Sequence, residues 1–251
     1  MVPETTYGKL SPAGRSRSLV APRTGRLQLA YLDRIREFRD FVGRPSSILS
    51  KRIRYAPVHE PIRPFHERFK MRSGPDVVFR TFSDSDATGL SRVTLEYKKS
   101  TYPDMTAEFW GVLQRCYAPD SFIMRAKRDV YFVVSEAKSG WIAGAISYHR
   151  YTKTSAESFN FLVAEDFRGL GIGKLLAARS MLAMMSEGIE KFRTFAAPMS
   201  QGIVDELGFV EDSRIARLIS GGTILSLKSE GDEGLRFLCH SMLRKITHRP
   251  S

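Results

Sequence analysis

Between Arg168 and Lys174 the chain reads Arg-Gly-Leu-Gly-Ile-Gly-Lys, three glycines at every second position with a basic residue at each end. Glycines so placed let the backbone come close to a ligand and take up φ/ψ values closed to other residues. A helix begun there also offers its unpaired first-turn N–H groups to an anion. A phosphate or pyrophosphate is the natural guest. The spacing rejects one familiar phosphate loop and fits a second only weakly. The loop GxxxxGK[ST] needs glycine at 168 and Ser or Thr at 175, where Arg168 and Leu175 stand. The dinucleotide fingerprint GxGxxG, begun at Gly169, needs glycine at 174 and finds Lys174; it also normally opens a βαβ domain, whereas this run lies deep in the chain. Taken alone, the glycines suit a tight turn without a ligand equally well.

The neighbouring residues sharpen the reading. Phe159, Phe161 and Val163 alternate with Asn160 and Leu162, which predicts an interior strand with two mostly apolar faces. Lys174-Leu175-Leu176-Ala177-Ala178 begins a run of strong helix formers that ends near Gly188, a suitable C-cap. The string Val163, four residues, Arg168-Gly169-x-Gly171-x-Gly173-x-x-Leu176 resembles the signature of the GNAT acyl-CoA-dependent N-acyltransferases, R/Q-x-x-G-x-G/A after a valine-ended strand. With Leu207-Gly208-Phe209, the resemblance covers about Val77 to Lys228. It implies an N-acetyltransferase with acetyl-CoA as co-substrate, an amine-bearing acceptor of unspecified class, and no metal. The loop amides from Arg168 through Gly169, Leu170, Gly171, Ile172 and Gly173 to Lys174 would hold the coenzyme pyrophosphate. The backbone of Phe161, Leu162 and Val163 would pair with the pantetheine arm.

Acyl transfer needs a neutral amine, a polarised thioester carbonyl and a proton for the departing thiolate. An amine with a pKa near 10 is almost fully protonated at neutral pH, so a carboxylate is useful as general base. Glu157, six residues before Val163, matches the position where part of the family carries such a glutamate; a solvent-facing residue at a strand start is the alternative. The resemblance also implies that a backbone N–H near Val163, freed by a bulge, holds the thioester oxygen. The family's usual acid is missing: Val204 stands where a tyrosine is often found, and Ala197 where an asparagine is. Tyr148, His149 and Tyr151 are substitute acids, and solvent can also protonate a thiolate.

These residues need elements to position them. Asp76 to Phe82 reads as a strand, Ser83-Asp84-Ser85-Asp86 as N-caps for a helix to about Lys99, and Met105 to Tyr117 as a second helix. In the family such helices border the acceptor, which makes Tyr97, Tyr102 and Trp110 candidate lining residues. Val130 to Glu136 and Trp141 to Tyr151 flank Lys138-Ser139-Gly140 as a hairpin, and Ala156 to Val163 follows. Beyond the glycines come a strand at Lys191 to Ala196, a helix from Pro198 to Leu207, a hairpin from Phe209 to Leu227 containing Gly221-Gly222, and an amphipathic helix at Glu233 to Thr247. Met181, Met184 and Met185 read as core filler. The fold class expected is α/β with a mixed, mostly antiparallel central sheet flanked by helices.

Composition bounds the setting. No stretch approaches the roughly 18 apolar residues of a membrane span, and Cys116 and Cys239 lie far apart without metal-ligand spacing, so a reducing, cytoplasmic setting is expected. The net charge is +12, of which +10 falls on residues 1–75. Residues 1–26 read as a disordered basic tail, and 27–75 as a basic arm with an amphipathic helix at Leu27 to Phe41. Residues 76–228 read as the acyltransferase domain and 229–251 as a basic C-terminal helix. The basic segment is either a solvated extension or a grip on an acidic partner, nucleic acid being the commonest. A non-catalytic module that binds acyl-CoA or nucleic acid stays open beside the enzyme.

Overall fold

A computed structural model describes residues 61–101, 103, 106–196, 200–211 and 225–248. The tail 1–26, the helix expected over Leu27 to Phe41, and Gly221-Gly222 lie outside the described residues. Eight strands form one sheet: β1 (His66–Phe69), β2 (Val77–Thr81), β3 (Val130–Glu136), β4 (Ile142–Arg150), β5 (Ser155–Val163), β6 (Lys191–Ala196), β7 (Val210–Glu211) and β8 (Leu225–Glu230). Their spatial order is β1-β2-β3-β4-β5-β6-β8-β7. Only β5 and β6 run parallel, joined by a helical crossover; every other neighbouring pair is antiparallel. The mixed, mostly antiparallel sheet flanked by helices is the expected class.

That crossover is α4 (Ile172–Ser186), which follows α1 (Ala87–Thr101), α2 (Ala107–Cys116) and α3 (Pro119–Ala126) in the chain. Two helices come after it, α5 (Gln201–Glu206) and α6 (Glu233–Ile246). Each face of the sheet has its own core. On one, Leu175, Leu176, Met184 and Met185 of α4 and Leu235, Cys239 and Met242 of α6 cover Phe79, Phe132, Ile146, Tyr148 and Phe192. On the other, Leu90 and Val93 of α1 and Phe122 of α3 pack on Tyr131, Val133, Ala145 and Leu162. Helix α4 is apolar nearly all round because α6 covers the side the sheet does not.

The start of α1 is fixed to β2 by a bidentate pair, Arg80 Nη1 to Asp86 Oδ2 at 2.5 Å and Nη2 to Oδ1 at 2.6 Å. Burial alone would raise the Asp86 carboxyl, but the Arg80 guanidinium and the Ser83 N–H, which donates at 2.8 Å, hold it below the usual carboxylate range.

The expected boundaries at 75/76 and 228/229 do not separate structural units. Strand β1 lies inside the segment read as an arm and pairs with β2 along its whole length. Met71 is buried and bridges Thr247, and Arg72 donates its backbone N–H to Ile246 and its Nε to Thr247. The end of α6 and the chain just after β1 therefore clasp each other.

Candidate active site

Strand β5 carries the geometry on which the site is built. Opposite β4 its register runs Phe159↔Ser147 and then Leu162↔Ala145, so Asn160 and Phe161 oppose Ile146 alone. This is a β-bulge, and Asn160 takes φ 49°, a left-handed value rare for a side chain other than glycine. The simple alternation expected for Phe159, Phe161 and Val163 is broken here. Phe159 packs edge-on against Tyr131 on the α1 side, whereas Phe161 and Val163 belong to the α4 side. The bulge spares one phase of the pattern and shifts the rest.

On its other edge, β5 pairs with β6 only from Ser155↔Lys191 to Ser158↔Thr194. There the Ser158 hydroxyl donates to Thr194 Oγ1 at 2.7 Å, and beyond it β6 stays with β8 through Ala196. The edge of β5 from Phe159 to Val163 is thus left without a strand partner among the described residues, open to an extended ligand that carries amide groups.

The same strand runs into the glycine loop. After a turn of 3₁₀ helix at Glu165–Phe167, Gly169 (φ 77°) and Gly171 (φ 85°) both sit in left-handed conformations, and Gly171 is the N-cap of α4. A Cβ on Gly169 would meet nothing within 4 Å, so that side of the loop is open to a ligand. A Cβ on Gly171 would point away from it, to Ile246 at 3.2 Å and the Met71 methyl at 3.4 Å. Gly171 is thus required by its conformation and by the clasp behind the loop. Arg168 stacks over Tyr97 of α1, 5.7 Å from the ring centroid. The Lys174 side chain donates to Glu206 Oε2 at 2.7 Å, and Lys245 donates to Oε1 of the same carboxylate at 2.6 Å.

A polar cluster lies before the bulge. The register pairs Glu157 with His149 of β4 and with Arg193 of β6, so all three share a face. Tyr151 donates to Glu157 Oε2 at 2.9 Å, and its ring packs edge-on to His149 with centroids 4.8 Å apart. His149 Nδ1 lies 2.7 Å from the shielded Asp129 carboxylate, a partner that no motif indicated. Burial raises the Glu157 carboxyl above its ordinary value, opposed by the Tyr151 hydrogen bond and by the charges of Arg193 and His149. Burial and the Glu157 charge raise Tyr151, so it holds its proton more firmly than a free tyrosine.

Tyr148 is not a candidate acid. It points to the opposite face, is 1% exposed, and its hydroxyl is hydrogen-bonded to Ser180 of α4 at 2.9 Å. Val204 is buried on α5, and Ala197, Tyr102 and Met105 lie outside the described residues. Among the described residues no group of three His, Cys, Asp or Glu is placed to hold a metal, and no helix is long and apolar enough to cross a membrane.

Comparison with known proteins agrees with this geometry. The sequence profile of the Acetyltransferase (GNAT) family matches residues 94–202. A protein of Chlorobaculum tepidum described as an uncharacterized N-acetyltransferase is 26% identical over 136 residues, 54% of this chain and 77% of that protein. Among solved structures, Mycobacterium smegmatis RimJ in complex with CoA-disulfide superposes with a TM-score of 0.55 at 18% identity, over 72% of this chain and 93% of that one. The PaiA N-acetyltransferase of Thermoplasma acidophilum in complex with coenzyme A gives 0.51 at 17% identity, over 61% and 98%.

Proposed function

Residues 94–202 place this chain in the GNAT superfamily of acetyltransferases, enzymes of acyl transfer from coenzyme A, and on that footing we propose that it acetylates a primary amine along β5. The observation that carries the proposal is the sequence of features on that one strand: Glu157, then the Asn160 bulge, then an open edge that ends in the glycine loop. Acetyl-CoA, as substrate, would lay its pyrophosphate on the amides of residues 168–173 and its pantetheine arm along Phe161 to Val163. Its thioester would then lie at the bulge.

In this arrangement Glu157 takes a proton from the ammonium form of the acceptor, and the neutral amine attacks the thioester carbon. A backbone N–H at the bulge donates to the oxygen that becomes an oxyanion. The C–S bond breaks as the amide forms, the nitrogen gives its remaining extra proton to solvent, and the thiolate takes one from solvent; Tyr151, held by Glu157 and with its proton more tightly bound, is poorly suited to give one. A carboxylate whose pKa burial has raised is a better match for work near neutral pH than an exposed one.

Release of free thiol from acetyl-CoA across a panel of primary amines tests the proposal. Acceptor-dependent release supports it, and release no faster than hydrolysis with every amine of the panel contradicts it. The charge asymmetry favours one addition: residues 1–75, which carry +10 of the net +12, would dock an acidic partner or acceptor. Retention on a polyanion should then fall steeply with salt, and equal retention of a chain lacking residues 1–60 would remove the idea.

A further inference from the structure

Asn160 is the only described residue other than glycine with positive φ, and strain of that kind, about 1–3 kcal/mol in general, persists only where the surroundings over-determine it. Here the surroundings are specific. Asn160 Nδ2 donates to the Tyr131 hydroxyl at 3.3 Å. The Ser147 hydroxyl donates to the Phe159 carbonyl at 2.9 Å. Two bonds thus hold β5 at the bulge, Asn160 to Tyr131 and Ser147 to Phe159.

Three strands meet here, because Tyr131 opposes Ser147 on β4 and Ser147 opposes Phe159 on β5. The hub cannot move. Tyr131 is 4% exposed, and its ring is wedged between Phe122, Phe159 and Phe82, with centroids 6.2, 6.3 and 5.9 Å away. Two hydroxyls hold the strand here, that of Tyr131 through the Asn160 side chain and that of Ser147 through the carbonyl of Phe159, the residue before the bulge.

We propose that Tyr131, with Asn160 and Ser147, is a positioning device that sets the bulge amide against the acetyl thioester. The three side chains act on the backbone and not on the reacting atoms, and the device rests on the placement of the thioester given above. Losing one oxyanion donor outright costs about 10²–10³ in rate, and loosening it costs less. Tyr131→Phe removes only the hydroxyl, which strands the Asn160 donor while keeping the ring.

The expected result is a fall in kcat of about 10- to 100-fold with KM and Kd for acetyl-CoA within about 3-fold. Asn160→Gly, which tolerates positive φ, should keep more activity than Asn160→Ala, and Ser147→Ala should follow Tyr131→Phe in kcat. A kcat within twofold of the parent in folded Tyr131→Phe overturns the proposal, as does a fall matched by an equal loss of coenzyme affinity. Amide NMR separates it from the site itself, by comparing acetyl-CoA with coenzyme A. If the Asn160 and Phe161 amides of the parent do not respond to the acetyl group, the site is misplaced. If they respond equally in parent and Tyr131→Phe, the site stands and the device does not.

Discussion

At the scale of single residues, Gly171 answers to two demands that a sequence shows as one letter. Its φ of 85° excludes ordinary side chains, and the space behind it is filled by Ile246 and Met71. Gly171→Val should therefore lower stability through strain and overpacking, about 1–3 kcal/mol from each. Thermal unfolding checks this; an unchanged midpoint would show that α6 and the chain before β2 give way easily. Gly169→Ala, with open space at its Cβ, should cost only the strain, and it is the cleaner probe of coenzyme affinity by calorimetry. The glycine spacing made this loop legible before any fold was in hand. Adjacent letters were less informative at β4, where Tyr148 and His149 look alike as acids yet point to opposite faces. Nothing in the sequence indicated Asp129, because its partner His149 lies twenty positions away and is brought to it by strand pairing.

At the scale of elements, period-2 and helical patterns carried most of the reading. The strand expected at Val130 to Glu136 and that at Lys191 to Ala196 match β3 and β6 residue for residue. Strand β1 escaped because Pro61 and Pro64 precede it and its four residues alternate exposed with half-buried, as an edge strand does. Helix α3 escaped because it begins just after the helix read as ending at Tyr117, with Pro119 in its first turn. The bulge that the family resemblance implied near Val163 falls at Asn160, a position no local residue preference announces; it depends on Tyr131 and Ser147 of two other strands. The Arg80–Asp86 pair joins β2 to the entry of α1, and it makes a prediction of its own. Arg80→Ala would leave the shielded Asp86 carboxylate without its counter-charge and should cost about 3–5 kcal/mol. The Asp86 pKa is lowered in the fold, so its contribution is full above the unfolded carboxylate pKa and is lost as pH falls through the folded value. Denaturant melts of parent and Arg80→Ala should therefore converge in strong acid, and a constant gap at every pH would contradict this.

At the scale of the whole molecule, the clasp between Met71 and Thr247 behind the coenzyme loop ties both ends of the described chain to the site. A chain begun at Gly74 loses β1, Phe65, Phe69 and Met71, all packed on the α4 side, and should lose its cooperative melt. One begun at Pro61 keeps them and should melt as the parent does; equal melts for the two would return β1 to the status of an arm. The central claim is acetyl transfer on β5 with Glu157 as base, and the pH dependence of turnover by the full chain tests it most directly. Rates of thiol release at saturating acetyl-CoA, with an acceptor found in the amine panel, are compared for the parent and Glu157→Gln. Because burial raises the Glu157 pKa, the parent should show an acid limb above the ordinary carboxylate range. The variant should lose that limb, run about 10²–10⁴-fold slower at neutral pH, and partly recover as rising pH deprotonates the acceptor. Equal rates and superimposable profiles would contradict the account.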